Sequence, residues 1–155
     1  LPETLAFFEG RVPLQKIHDQ ESTDFEKALK YCLENGVDEV MVLGGLGARP
    51  DHLLTNYSVL RRYYEKMKIA LFNEELEVFF INNEIVFPYK IGEVVSLMPL
   101  PKALGITMEG LKYPLIGEDL EFGVREGTLN LATAPQVSIR FESGHLLLFK
   151  KHFII

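Results

Sequence analysis

Cysteine is nearly absent. Cys32 is the one thiol in 155 residues, so an internal disulfide and a disulfide-stapled scaffold are both excluded. A lone thiol fits a reducing, cytoplasmic setting. Long apolar runs are also missing. None approaches the roughly 20 residues a membrane helix needs, and residues 146–149 are cut off by Lys150 and Lys151. Positive charge is in deficit, with 16 Lys and Arg against 22 Asp and Glu, a net charge of -6 and a pI near 5.3. That removes the broad basic footprint of a nucleic-acid binder and leaves only a few local basic groups to meet phosphate. The chain opens Leu1-Pro2-Glu3-Thr4, with neither Met nor an apolar signal segment, and reads as a piece lacking something upstream.

What is present is a globular composition, 47% hydrophobic and 25% charged, of a length for one domain or two small ones. The periodicity changes partway along. Thr23 and Glu26 form a capping-box pattern. Phe25, Ala28, Leu29, Cys32 and Leu33 then follow helical spacing up to a stop at Asn35-Gly36. Residues 40–43 are wholly apolar, which predicts a strand covered on both faces. Glycines at 44, 45 and 47 follow, and a second helix starts near Pro50 with Leu53, Tyr57, Leu60, Tyr64 and Met67 along one face. Residues 68–72 read as another buried strand, so a parallel α/β layer is the simplest arrangement.

From about Glu75 the helical pattern stops. Residues 76–81, 84–88, 93–100 and 105–111 are short β-prone runs separated by turn signals such as Asn82-Asn83 and Gly92. Val137, Ile139 and Phe141 alternate with polar neighbours, and Ser143-Gly144 predicts a hairpin turn into residues 145–150. The expected organisation is a partial parallel-sheet α/β nucleotide-binding domain over residues 1–74, followed by an all-β antiparallel sandwich over residues 75–155.

Two segments carry the chemistry. Gly44-Gly45-Leu46-Gly47-Ala48-Arg49-Pro50-Asp51-His52 lies between a strand and a helix, where ligands collect in open α/β sheets. Its glycines allow close backbone approach, the helix N-terminus favours an anion, and Arg49 offers a forked donor for phosphate. A plain turn with Asp51 complementing the helix dipole accounts for it about equally well. It is neither a dinucleotide fingerprint nor a P-loop. The second segment is Asp19-Gln20-Glu21-Ser22-Thr23-Asp24, whose carboxylates could help hold Mg²⁺, a hard ion that takes oxygen ligands. A polar loop ending in an N-cap is the simpler account of that segment alone, and Lys27 would then pair with Asp24 on the surface. Cys32 reads as a small core residue, and His18, His52, His145 and His152 lack metal-ligand spacing. Tyr113 could stack on a flat ligand or be an ordinary strand aromatic, and Asn130 fits either a turn or a ligand contact.

Taken together these segments resemble the thiamine pyrophosphokinase family. Residues 19–29 resemble its Asp-x-x-x-Thr-Asp helix start. Gly44-Gly45 through Arg49-Pro50-Asp51-His52, with Asn56 one turn on, resembles its Gly-Gly-x-x-x-Arg-x-Asp-His loop. Residues 95–100 and 105–115 resemble its β-domain signatures, and Asn130 stands where the family usually has a Ser-Asn pair. The resemblance implies an α/β domain followed by a β-sandwich, a homodimer with thiamine near the subunit interface, and pyrophosphoryl transfer from ATP to thiamine with Mg²⁺. It implies catalytic roles for Asp24 (also the metal ligand), Arg49 and Asp51. It further implies substrate contacts from Gln20, Thr23, Lys27, Gly45, His52, Asn56, Tyr113, Thr128 and Asn130. No membrane or nucleic-acid partner is implied. Two departures stand out: the family's Asp-Gly-Gly and Gly-Asp-x-Asp-Ser motifs are missing, and Leu129 replaces the Ser before Asn130. The alternative is a non-catalytic β-sandwich sensor or assembly module joined to a degenerate α/β domain. For the kinase reading, the glycine turn and the acidic helix tip are expected to meet in one cleft.

Overall fold

The computed structural model describes residues 2–13, 15–47 and 49–152. Helix α1 spans Pro2–Phe8 and is solvent-exposed where its side chains are described. Helix α2 spans Asp24–Glu34 and is capped at both ends. The Thr23 hydroxyl accepts from the Glu26 N–H at 3.2 Å. At the other end the Val37 N–H reaches Cys32 O and the Gly36 N–H reaches Leu33 O, with Gly36 in the left-handed region, which closes a Schellman turn. Only half of the expected capping box forms, because the Glu26 carboxylate is drawn instead to Arg62 at 2.7 Å and to the Tyr63 hydroxyl at 3.1 Å.

Strand β1 (Glu39–Leu43) leads through the glycine turn into α3 (Pro50–Tyr63) and then to β2 (Lys68–Phe72), which pairs parallel with β1. This is a crossover unit, with α3 held against the pair by Val59, Leu60 and Tyr63. The expected two-sided cover of β1 is not found: Met41 is 63% and Leu43 76% exposed. β1 lies at the edge of the sheet, and only its Val40 and Val42 face turns toward the helices' core.

The remaining strands are β3 (Leu76–Phe80), β4 (Glu84–Pro88), β5 (Val94–Glu109), β6 (Ile116–Glu121), β7 (Gly127–Leu131), β8 (Gln136–Arg140) and β9 (Ser143–Lys151). β3 pairs antiparallel with β2, so the two halves share one nine-stranded sheet rather than forming separate layers. The two runs expected at 93–100 and 105–111 are in fact one 16-residue strand, β5, which organises the whole β region. Along one edge β5 pairs with β9 from Val95↔Lys150 to Leu104↔Ser143, then with β8 from Thr107↔Arg140 to Glu109↔Ser138. Its other edge takes β7 and β6.

The expected hairpin at Ser143-Gly144 therefore does not form. β8 and β9 run on in the same direction along β5, and the glycine serves a bulge instead of a reversal. Gly144 has φ +96, and its α-carbon lies so close to β5 that a Cβ there would sit 2.9 Å from Ala103 Cα and nearer still to the Lys102 carbonyl oxygen.

Two cores result. One lies within the curled β region and includes Ile81, Val95, Leu97, Ile106, Ile139, Leu146 and Leu148. The other lies under the helices and joins Leu29, Leu60 and Leu71 to Val78, Phe80 and Leu147. The division near residue 74 is thus a change of pattern along the chain and not a boundary between cores. Among the described residues no helix is long and apolar enough to cross a membrane.

A polar contact also joins α3 to β9. His145 receives a hydrogen bond on Nε2 from the Arg61 guanidinium, and its Nδ1 faces the Tyr64 hydroxyl at 2.9 Å. Since arginine can only donate, Nε2 must be unprotonated and the ring neutral. Burial first, then the Arg61 charge, holds the imidazole below its usual value, against a weaker opposing pull from Glu65. Burial chiefly pushes the Tyr64 hydroxyl up to about 12. A lowered folded value means that the unfolded chain binds the proton more readily. Stability from this contact is therefore full above about pH 6.5 and is lost as pH falls through the folded value. Urea midpoints measured from about pH 5 to 8 are expected to decline on the acid side. The decline should be shallower in His145→Gln, which keeps an acceptor for Arg61 but takes up no proton.

Candidate functional site

The glycine turn leaves the carboxyl end of β1 and is fixed from two sides. Gly44 takes φ +76. Gly45 is buried, with room for a Cβ only 3.2 Å from Leu71 and Val42 side-chain atoms. The Asn56 amide of α3 donates to Gly45 O at 2.8 Å. Asn56 and Gly45 therefore build the loop, while Arg49 and Asp51 face solvent at its end. The Arg49 guanidinium grips Asp51 with both arms, Nε to Oδ1 at 3.2 Å and Nη2 to Oδ2 at 2.6 Å. That contact holds the Asp51 carboxyl below the usual carboxylate range. His52, in the first turn of α3, is exposed.

In the acidic segment, Asp19 is committed internally. Its carboxylate accepts from the Ser22 hydroxyl and from the Glu21 N–H at 2.8 Å, with Lys30 at 3.7 Å. Those bonds, the Ser22 hydroxyl foremost, hold its carboxyl below the ordinary range. Thr23 is committed to its cap. Asp24 is fully exposed, and its Oδ1 accepts from the Lys27 ammonium at 3.3 Å, the pair expected of that spacing. Gln20 is exposed as well.

The two segments are held at opposite ends of α3. Glu26, in the first turn of α2, is bound by Arg62 and Tyr63 at the last turn of α3, whereas Arg49 directly precedes the first turn of a helix about 21 Å long, so the single cleft expected from the sequence is not found. Among the described residues no hydrogen bond or ion pair joins the acidic segment to the glycine turn. Nor do the described residues contain a group of three or more His, Cys, Asp or Glu side chains able to hold a metal ion.

In the β region the structure joins two residues singled out in the sequence. Asn130 is buried at 5% exposure, and its amide clamps the backbone of Tyr113: Oδ1 accepts from Tyr113 N at 3.0 Å and Nδ2 donates to Tyr113 O at 2.8 Å. Tyr113 itself is 60% exposed, with Lys112 Nζ 5.3 Å from its ring centroid. Thr128 is exposed on β7. Leu129 has φ +57, and its N–H is held by the Ser96 hydroxyl at 2.9 Å. Sequence reading missed Ser96, Arg62 and Glu26 as organising groups; each acts on a residue more than thirty positions away, and no local pattern signals such a pairing.

Comparison with known proteins agrees with this architecture. Residues 1–71 match the family model described as thiamin pyrophosphokinase, catalytic domain, and residues 82–146 the model described as thiamin pyrophosphokinase, vitamin B1 binding domain. Thiamine pyrophosphokinase 1 of Oryza sativa subsp. japonica is 29% identical over 92% of this chain and 59% of its own. Thiamin pyrophosphokinase 1 of Caenorhabditis elegans is 28% identical over 81% and 57%. The chain thus spans less than two thirds of the length of these relatives. The crystal structure of thiamine pyrophosphokinase from Bacillus subtilis shares the fold, with a TM-score of 0.82 and 22% identity over 99% of this chain and 74% of that one. The enzyme from Candida albicans also shares it, with a TM-score of 0.80 and 14% identity over 98% and 70%. With both family models matched in order along most of its length, this chain belongs to the thiamine pyrophosphokinase family.

Proposed function

We propose that this chain supplies the ATP-binding and thiamine-binding parts of a thiamine pyrophosphokinase, which transfers pyrophosphate from ATP to thiamine and releases AMP. The observation that carries this reading is the solvent-facing Arg49–Asp51 fork, set at the carboxyl end of a parallel strand and at the N-terminus of α3. Such a place favours an anion through the helix dipole, and a guanidinium adds paired N–H donors. Asp51 holds the fork extended until phosphate oxygens take its place. Asp24, at the first position of α2, has full access to solvent. It would orient the thiamine hydroxyl or serve as a single protein ligand to Mg²⁺. The described residues do not form a cage for a resident ion, so Mg²⁺ fits here as a component of the MgATP substrate, with phosphates and waters completing its shell.

In the reaction, the hydroxyethyl oxygen of thiamine forms a bond to the β-phosphorus. The bond between the β-phosphorus and the bridging oxygen breaks, that oxygen leaves with AMP, and the hydroxyl proton passes to a carboxylate or to water. The residues' task is alignment and charge neutralisation more than covalent chemistry. Gly45, His52 and Asn56 build the nucleotide side around Arg49 in this reading, whereas Gln20, Thr23 and Lys27 stand with Asp24 at the other end of α3. Tyr113, Thr128 and Asn130 belong to the thiamine side.

A homodimer is part of the proposal. Ile116, Phe122, Val124 and Leu129 are large apolar side chains left exposed on the β region, a surface suited to a second copy. The lone thiol of Cys32 supports a reducing, cytoplasmic setting. The test is to incubate the chain with ATP, Mg²⁺ and thiamine. AMP release that depends on thiamine is the expected result. Thiamine binding without AMP would favour a sensor, and neither would overturn the reading.

A further inference from the structure

We propose that Asn130 is a positioning residue for Tyr113 and does not itself touch the substrate; the claim rests on Tyr113 facing thiamine as read above. Asn130 is the one buried polar or charged residue outside the tyrosines among the described residues, and its amide is held on both sides by backbone. Oδ1 accepts two N–H groups, from Tyr113 at 3.0 Å and Leu131 at 2.9 Å, and Nδ2 donates to Tyr113 O at 2.8 Å. A substrate that approached Oδ1 would have to break a satisfied buried bond, a costly exchange.

The surroundings brace the same point. Lys112 N–H bonds Leu131 O, and Thr133 N–H bonds Gly110 O, so residues 110–113 lie along 130–133 as a short added ladder. Gly110, at φ +77, has no space for a Cβ against the backbone of Gln136. The residue just before the clamp, Leu129, sits in the left-handed region, a conformation that costs an ordinary side chain about 1 kcal/mol or more. The Ser96 hydroxyl secures its N–H. Strain held beside a buried clamp, with an exposed aromatic ring as the only product, is the arrangement expected where the aim of that ring matters. Its effect on a ligand then runs through the Tyr113 backbone.

The test is a double-mutant cycle on thiamine affinity, read by tyrosine fluorescence; the chain contains no tryptophan to mask it. Asn130→Ala is expected to weaken thiamine binding about tenfold in the native background and to leave it nearly unchanged in a Tyr113→Ala background. Asn130→Asp, which keeps the acceptor for Tyr113 N–H, takes its place if the alanine variant does not fold. Amide hydrogen exchange gives an independent reading: Tyr113 N–H is expected to be protected in the native chain and to exchange freely in Asn130→Ala. Equal losses in both backgrounds would mean direct contact and overturn the proposal. Unchanged affinity with lower stability would reduce Asn130 to a structural role and overturn it too. A native chain that binds no thiamine, with Tyr113 N–H still protected, would overturn the substrate reading and the positioning role together.

Discussion

Gly144→Ala is expected to lower the stability of this protein by about 3–5 kcal/mol. Two costs combine, a left-handed backbone that an L side chain resists and a methyl group forced into the main chain of a packed neighbour. Gly144 has φ +96, and the atoms facing its missing Cβ are the Lys102 carbonyl and Ala103 Cα, which belong to β5 and cannot rotate aside as a side chain would. The bulge between Pro99 and Ala103 ends at the Ala103↔Gly144 pair, just before β5 passes from β9 to β8, so a shift there moves the ladder on both sides. Urea unfolding should show a lower midpoint with an unchanged slope, and the melting temperature should drop by roughly 10 °C. Gly123→Ala is the control. Gly123 has a similar backbone, φ +79, but nothing near its Cβ position, so its loss should be confined to the backbone contribution. A Gly144 variant no worse than the Gly123 variant would mean that β5 and β9 are not in contact there.

Asp24→Ala is expected to reduce thiamine-dependent AMP release by two to three orders of magnitude, the scale seen when one charged group that serves a transition state is removed. Folding should be unaffected, because the side chain is fully exposed and its one partner, Lys27, is a surface pair. The contrast with Gly144 is the useful part: one change should remove structure and the other turnover. Asp24→Ala with near-native turnover, together with a native melting temperature, would take that carboxylate out of the site. Asp19→Ala should behave differently again, since Asp19 is tied to Ser22, the Glu21 N–H and Lys30, and its loss loosens the approach to α2.

Local chemistry was legible in the sequence where it acts locally. The Thr23 cap, the Asn35-Gly36 stop and Pro50 at the start of α3 are decided by residues within a turn of one another, and all three are found. The alternation at Val137, Ile139 and Phe141 likewise points inward as expected. What failed depended on partners far along the chain. An apolar run such as Val40 to Leu43 says nothing about which neighbours arrive, and β1 proved to be an edge. The runs 93–100 and 105–111 read as two strands, but here they lie within one strand whose irregularity ends opposite Gly144 across the ladder. Ser143-Gly144 is chemically a good hairpin turn, yet β5 offers both flanking segments a longer partner than they could offer each other. In the candidate site, the motif residues were identifiable one by one. The anchoring of the acidic tip to the far end of α3 was not, because Glu26 and Arg62 carry no mark of their pairing.

The three adjacent leucines of β9 carry a consequence for how the chain is made. Leu147 belongs beneath the helices, while Leu146 and Leu148 belong inside the curled strands. Neither interior can close during synthesis until this late segment has left the ribosome, since both wait for side chains encoded within three codons. Helices α2 and α3 must therefore remain loosely gathered while more than eighty residues follow α3, a long-range dependence of the kind that slows folding.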